Sequence, residues 1–263
     1  MGTGTRPTAL VTGASSGLGE CFARTLAATG YDLVLVARGR SSLERLGLEL
    51  EQQHGTASEV MAADLADAAQ LDGVAERLRT GDPVDVVVNN AGFGHYGRFV
   101  DLAVDGEAGQ VTVNALAVLV LSHAALGAMV RRGSGSLLNV ASIAGFAPTP
   151  HSATYSATKS FVIFLSEALH DEVAPRGVHV TVLCPGFTRT DFQQRAGVRT
   201  DRLPSFAWSD AQSVVDHGLA ALERNQAVCV PGALNKITAA SPRFAPRGLV
   251  RRISAQVMRR MES

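Results

Sequence analysis

The chain has 263 residues, 46% of them apolar and 18% charged, with 24 basic side chains against 24 acidic ones. That length allows a substantial core, the composition excludes a disordered chain, and zero net charge removes any global pull toward nucleic acid. Cys21, Cys184 and Cys229 lie too far apart for a CxxC pair or a zinc spacing, so the expectation is no metal site, no disulfide framework and a reducing cytoplasm.

The amino terminus is short and polar and lacks the apolar core of a secretory leader. Thr8 to Thr12 reads as a strand, followed by a Gly-rich turn and a helix from about Gly17 to Thr29. Asp32 to Ala37 is a second strand. Ser41 is expected to cap the next helix, whose apolar positions Leu43, Leu46 and Leu50 recur three and four apart. Ser58 to Ala62 and Val84 to Val88 are strands that flank a helix from Ala68 to Leu78. Val111 to Val130 is the most apolar stretch, but Thr112, Asn114, Ser122 and His123 interrupt it, so it reads as a buried helix rather than a membrane span.

The alternation then repeats: strand Ser136 to Ala141, helix Ser152 to Val173, strand Val178 to Leu183, helix Asp210 to Glu223, strand Ala227 to Val230. Such an order builds a single α/β domain, a Rossmann-type doubly wound parallel sheet of about seven strands with helices on both faces. We place this domain at residues 1–235 and a basic helical extension at 236–263. In the extension Lys236, Arg243, Arg247, Arg251, Arg252, Arg259 and Arg260 face a single acid, Glu262, and Val250, Ile253, Val257 and Met261 recur at helical spacing. Packing or oligomer contact is favoured for it over a peripheral membrane contact.

The first strand runs straight into Thr12-Gly13-Ala14-Ser15-Ser16-Gly17-Leu18-Gly19 and a helix. A glycine loop there lets backbone approach a pyrophosphate, and the helix N-terminus offers free N–H groups to it. The spacing is Gly-x-x-x-Gly-x-Gly rather than Gly-x-Gly-x-x-Gly. A shape-only turn is the bland alternative. Further on come Asn89-Asn90-Ala91-Gly92, Asn114 inside an apolar helix, Ser142, Tyr155-Ser-Ala-Thr-Lys159 and Pro185-Gly186-Phe187-Thr188-Arg189-Thr190. Tyr155 and Lys159 stand i, i+4 on one helix face, where an ammonium is expected to lower the phenol's pKa from its ordinary value near ~10. Each motif alone has an ordinary structural reading, whether turn, polar anchor or helix cap.

Together, in this order, they resemble the short-chain dehydrogenase/reductase family from Thr8 to about Pro231. The resemblance implies Asn114, Ser142, Tyr155 and Lys159 as the catalytic residues, with Tyr155 as general acid or base. It implies a nucleotide site formed by Gly13, Ser15, Ser16, Gly17, Leu18, Gly19, Asn90, Ala91, Gly92, Tyr155, Lys159, Pro185, Gly186, Thr188 and Thr190. Asp64 and Leu65 would contact adenine, although an Asp before a helix is also a common N-cap.

The second strand ends Val34-Leu-Val-Ala37-Arg38, with no acid to receive a ribose 2′-hydroxyl and an arginine able to bind a 2′-phosphate, so NADP(H) is expected. A solvated loop cation would explain Arg38 but not the missing acid, and Arg40 is the weaker candidate. The expected activity is hydride transfer between NADPH and a carbonyl or secondary alcohol on a small molecule, with no nucleic acid partner. The alternatives are a 3-oxoacyl thioester reductase and a non-catalytic NADP(H) sensor. Residues 189–208, with Phe192, Phe206 and Trp208, would cover the pocket, while His95, Tyr96 and His151 are candidates to line it that read first as packing or surface residues. The surplus apolarity of Val111 to Val130 points to a homodimer or homotetramer.

Overall fold

Segments such as Leu33-Val-Leu-Val36 and Val86-Val-Val88 are apolar on both faces, so the sheet they form must be covered on both sides. The computed structural model describes residues 6–197, 205–244, 246, 248–252, 254 and 256, without the side chains of Phe206, Arg243 and Phe244. The expectations for 198–204, Arg247, Ile253, Val257, Arg259, Arg260, Met261 and Glu262, and for the Phe206 and Arg243 side chains, lie outside the described residues.

The first half alternates β1 (Thr8–Thr12), α1 (Gly17–Ala28), β2 (Asp32–Ala37), α2 (Arg40–His54), β3 (Ser58–Ala62), α3 (Ala68–Thr80) and β4 (Val86–Asn89). The second half runs α4 (Val104–Val111), α5 (Ala117–Arg132), β5 (Gly135–Val140), α6 (Ala153–Val173), β6 (Val178–Leu183), α7 (Phe192–Arg195), α8 (Ala211–Glu223), β7 (Val228–Cys229) and α9 (Ala233–Phe244). All strand pairs are parallel, in the order β3-β2-β1-β4-β5-β6-β7. The expected doubly wound sheet is thus present. Its order reverses between β1 and β4, and ligands of such sheets bind beyond the strand ends at that fork.

One face is sealed by Phe22 and Leu26 of α1, Leu43 and Leu50 of α2, and Val214 and Leu222 of α8. The other takes Leu71, Val74 and Leu78 of α3 with Leu121 and Met129 of α5. Val162 and Ile163 of α6 close against Val118, Val182 and Cys184.

Three local expectations shift. Gly39, not Ser41, holds the cap position of α2, and Ser41 lies within its first turn. Strand β4 starts at Val86, and just before it the Asp85 carboxylate accepts from the Thr8 N–H at 2.9 Å. The helix from Val104 to Arg132 is continuous but widens at Thr112–Leu116, where the Ala117 N–H reaches back to the Thr112 carbonyl. By length and apolarity it could cross a membrane, yet 61% of its most apolar stretch is buried in the fold.

Candidate active site

The fork between β1 and β4 is fixed by side chains that the strand pattern does not announce. Thr12, 1% exposed, accepts from the N–H groups of Asn90 and Ala91 through Oγ1, both at 3.0 Å. Asn90 Nδ2 returns a bond to the Thr12 carbonyl at 2.9 Å. This clamp holds the Asn90-Ala91-Gly92 segment against the glycine loop. The loop cannot carry side chains at its contact points. Gly13 has φ +69°, and a Cβ on it would stand 2.9 Å from Asn90 Nδ2; a Cβ on Gly19 would collide with the Gly13 carbonyl.

Ser16 stands at the cap position of α1 without a side-chain cap bond, which leaves the first-turn N–H groups available to an anion. Asp64 is not a helix cap. Its Oδ1 accepts from the Ala66 N–H at 3.0 Å, and Asp67 caps α3 through Gln70 N–H. Arg38 is exposed, lines the cleft and has no ion pair among the described residues, whereas Arg40 pairs with Glu44 at 3.7 Å and stays off the cleft. The backbone cradle, the open helix terminus and the spare cation fit a dinucleotide with an extra phosphate.

Further along the cleft, β5 ends at Val140 and its continuation presents Ser142, whose hydroxyl acts on the Tyr155 phenol from α6 and also accepts from the Ala144 N–H at 3.2 Å. Tyr155 is partly buried at the cleft wall, and burial pushes its phenol's pKa up to about 12 against the opposing influence of the Ser142 hydroxyl. Lys159 is 4% exposed, donates to the Val140 carbonyl at 2.8 Å, and is pulled down to about 8 by the same desolvation. Its Nζ lies 5.8 Å from the Tyr155 ring centre. The i, i+4 spacing brings the two groups together, but the largest influence on the phenol is desolvation, which raises its pKa rather than lowering it.

Asn114 sits in the widened turn before α5. Its Oδ1 accepts from the Phe93 N–H at 3.0 Å, and its Nδ2 donates to the Phe93 carbonyl at 2.8 Å and to Thr158 Oγ1 at 3.3 Å. The side chain is thus spent on clamping the segment after β4 to α6. A Cβ on Gly92 would stand 3.0 Å from Asn114 Oδ1 and 3.4 Å from Lys159 Nζ, so this glycine lets all three meet.

Below this shelf lies a buried polar seam that the sequence reading missed. Asn89 Nδ2 donates to Asn139 Oδ1 at 2.9 Å and to Ser122 Oγ at 3.2 Å, and Asn139 Nδ2 donates to Ser166 Oγ at 2.9 Å. It crosses β4, α5, β5 and α6. Asn139, a polar residue in an otherwise apolar inward run, was the available signal.

One cleft of about 960 Å³ unites the sites: Gly13, Ser15 through Leu18, Arg38, Asp64, Leu65, Asn90, Ala91, Gly92, Ser142, Tyr155, Lys159, Pro185, Gly186, Thr188 and Thr190 all line it. Gly19 and Asn114 stand behind its wall. On the far side Phe192 of α7 packs on Tyr155 with ring centres 5.7 Å apart, and Arg195 Nη1 donates to Ser16 Oγ at 3.2 Å, tying this short helix to the glycine loop. Phe187 packs on Trp208. Thr238, Ser241 and Pro242 of α9, with Val250 and Ser254 beyond it, also line the cleft, a wall not foreseen for the extension. His95 and Tyr96 line it as well; His151 instead stacks on Tyr96.

A nucleotide cradle continuous with a serine–tyrosine pair defines an α/β oxidoreductase. Residues 7–200 match the family model described as short chain dehydrogenase. The chain belongs to that family. Its fold matches a short-chain dehydrogenase from Sphingobium yanoikuyae in complex with NADPH, at 36% identity and TM-score 0.84 over 92% of this chain and 94% of that one. It also matches a bulky-bulky ketone specific alcohol dehydrogenase from Comamonas testosteroni, at 34% identity and TM-score 0.79 over 89% and 92%. Ketoacyl reductase HetN from Nostoc is 32% identical over 212 residues, 77% of this chain and 74% of that protein. The enzyme acts on CH–OH or C=O groups of small molecules.

Proposed function

We propose that this enzyme is an NADPH-dependent reductase of ketones or aldehydes in which Tyr155 is the proton donor. The observation that carries this reading is that Ser142, Tyr155 and Lys159 line the same cleft as the glycine loop and Arg38. NADPH supplies the hydride when bound. The glycine loop and the open end of α1 hold its phosphates, Arg38 takes the 2′-phosphate, Asp64 and Leu65 border the adenine, and Asn90 to Gly92 with Pro185, Gly186, Thr188 and Thr190 wall the nicotinamide.

Ser142 hydrogen-bonds the carbonyl oxygen and stabilises the charge that develops there, while Tyr155 gives that oxygen its proton. Lys159 fixes the ribose and supports proton resupply beside Asn114. Because burial keeps the phenol protonated at neutral pH, the site is set for reduction. Alcohol oxidation, which needs phenolate, is expected to climb as pH rises from 7 toward 10. The reading is tested by NADPH oxidation across ketones, aldehydes and acyl thioesters, with NADH as the control: turnover of free ketones with NADPH is expected, and none with any carbonyl would reject it. Turnover of acyl thioesters alone would favour the second reading, a 3-oxoacyl thioester reductase. Its support is the likeness to HetN and the exposed cations Lys236, Arg251 and Arg252 on the segments that edge the cleft.

The catalytic unit is taken as 1–235, with 236–263 as an extension, in a cytoplasmic protein. Its extension is assigned to packing over the cleft rather than to membrane contact. A homodimer or homotetramer is supported by Val104, Val111, Leu116, Leu119, Phe161 and Phe164, which α4, α5 and α6 leave exposed, Phe164 by 69%. Phe164→Glu is expected to shift the sedimenting species to monomer without unfolding it. A wild-type protein already monomeric at micromolar concentration would overturn the assignment.

A further inference from the structure

The segment after β4 brings a second polar group to the cleft, beside the reacting hydroxyls. Gly94 packs against Tyr155, since a Cβ there would stand 3.1 Å from the ring's Cδ2. The next residue, His95, lines the same cleft. Its Nδ1 lies 3.0 Å from Glu107 Oε1, and Gln110 Nε2 donates to that same oxygen at 3.3 Å. Glu107 is 7% exposed and Gln110 fully buried, so this anchor belongs to the interior of α4.

In the tautomer that donates from Nδ1 to Glu107, the lone pair of the ring lies on Nε2. Nε2 has no hydrogen-bond partner among the described residues, and the side chain keeps 36% of its surface exposed. The ring's seat is specific. A Cβ on Gly106 would stand 2.9 Å from His95 Cε1, so any larger residue at this turn of α4 would push the imidazole off Glu107. Phe93 meets the ring edge-on at 5.4 Å. A histidine kept only for packing has no need of a buried carboxylate on one nitrogen while its ring borders the cleft.

We propose that His95 is a specificity-determining residue whose Nε2 accepts a hydrogen bond from a hydroxyl on the substrate, away from the reacting carbonyl. The preferred substrates are then hydroxylated ketones or aldehydes. The inference rests on the reductase reading above and deepens it, because the same cleft supplies the reacting carbonyl's partners. Glu107 is a positioning residue that acts through the imidazole.

The test uses the full-length wild type, His95→Phe and Glu107→Gln with NADPH and matched methyl ketones. These carry a hydroxyl, methoxy or methyl group at positions roughly two to six bonds from the carbonyl. In the wild type, one hydroxyl position is expected to be preferred about tenfold in kcat/KM over its methoxy and methyl counterparts, mainly through KM. His95→Phe brings that ratio close to one, and Glu107→Gln lowers it several-fold while keeping the ring. Equal kcat/KM for all three groups at every position, or a preference that survives His95→Phe, would overturn the proposal. Should no ketone be turned over, the reductase reading fails separately. The same ligands are then titrated against protein with 15N-labelled histidine: a shift at His95 Nε2 with the hydroxyl ligands alone supports the contact, and none overturns it.

Discussion

Tyr155→Phe is expected to lower kcat by about 10³-fold or more while leaving the dissociation constant for NADPH within about twofold of wild type. The substitution removes one oxygen. The ring keeps its packing against Phe192 and Gly94, so the wall of the cleft stays in place. The loss should fall on kcat because the proton is delivered only as charge builds on the carbonyl oxygen. Stopped-flow NADPH oxidation with fluorescence binding separates the two quantities, and a variant as active as wild type would remove Tyr155 from the chemistry. Since burial holds the phenol near 12, well above its unfolded value, the group stays protonated through the neutral range. Carbonyl reduction should therefore lack a rising limb between pH 6 and 8, in contrast to alcohol oxidation.

Arg38→Asp is expected to weaken NADPH binding by on the order of 100-fold and NADH binding by less than about threefold, which reverses the preference between them. A guanidinium is exchanged for a carboxylate that repels the 2′-phosphate of NADPH but can receive the 2′-hydroxyl of NADH. The fold should tolerate the change, because Arg38 is exposed and pairs with no acid among the described residues. Titrating both nucleotides into each protein gives the ratio directly, and parallel losses for the two would contradict the assigned 2′-phosphate contact. Arg40 is the internal control: it belongs to α2 and is paired with Glu44, so Arg40→Ala should change NADPH affinity far less.

The parts of the site that the sequence disclosed are those whose geometry follows from short spacings at the ends of regular elements. A glycine loop between β1 and α1, a tyrosine and lysine one turn apart on α6, and a serine just past β5 must emerge at the same edge once the strands are parallel. Contacts between distant segments were not disclosed. His95 read as a packing residue because nothing near it in sequence names Glu107 as its partner; Glu107 and Gln110, three apart on α4, were the only local trace. The tie between Arg195 and Ser16 spans 179 positions, and the cleft wall from α9, Val250 and Ser254 depends on where the chain returns. Ser41 failed as a cap for a smaller reason: the neighbouring Gly39 already occupied the position, whereas at α3 the cap is Asp67 and Asp64 lines the cleft.

The amide and hydroxyl groups of Asn89, Ser122, Asn139 and Ser166 also bear on how this enzyme fails under heat. Detaching any one of the four elements would strand donors or acceptors in a dry interior, at about 1–3 kcal/mol for each orphaned group. Tyr155 is mounted on one of those elements and Ser142 follows directly after another, so both are tied to the seam's integrity. The central half of the sheet then opens as a single cooperative block, and thermal inactivation becomes the same event as melting.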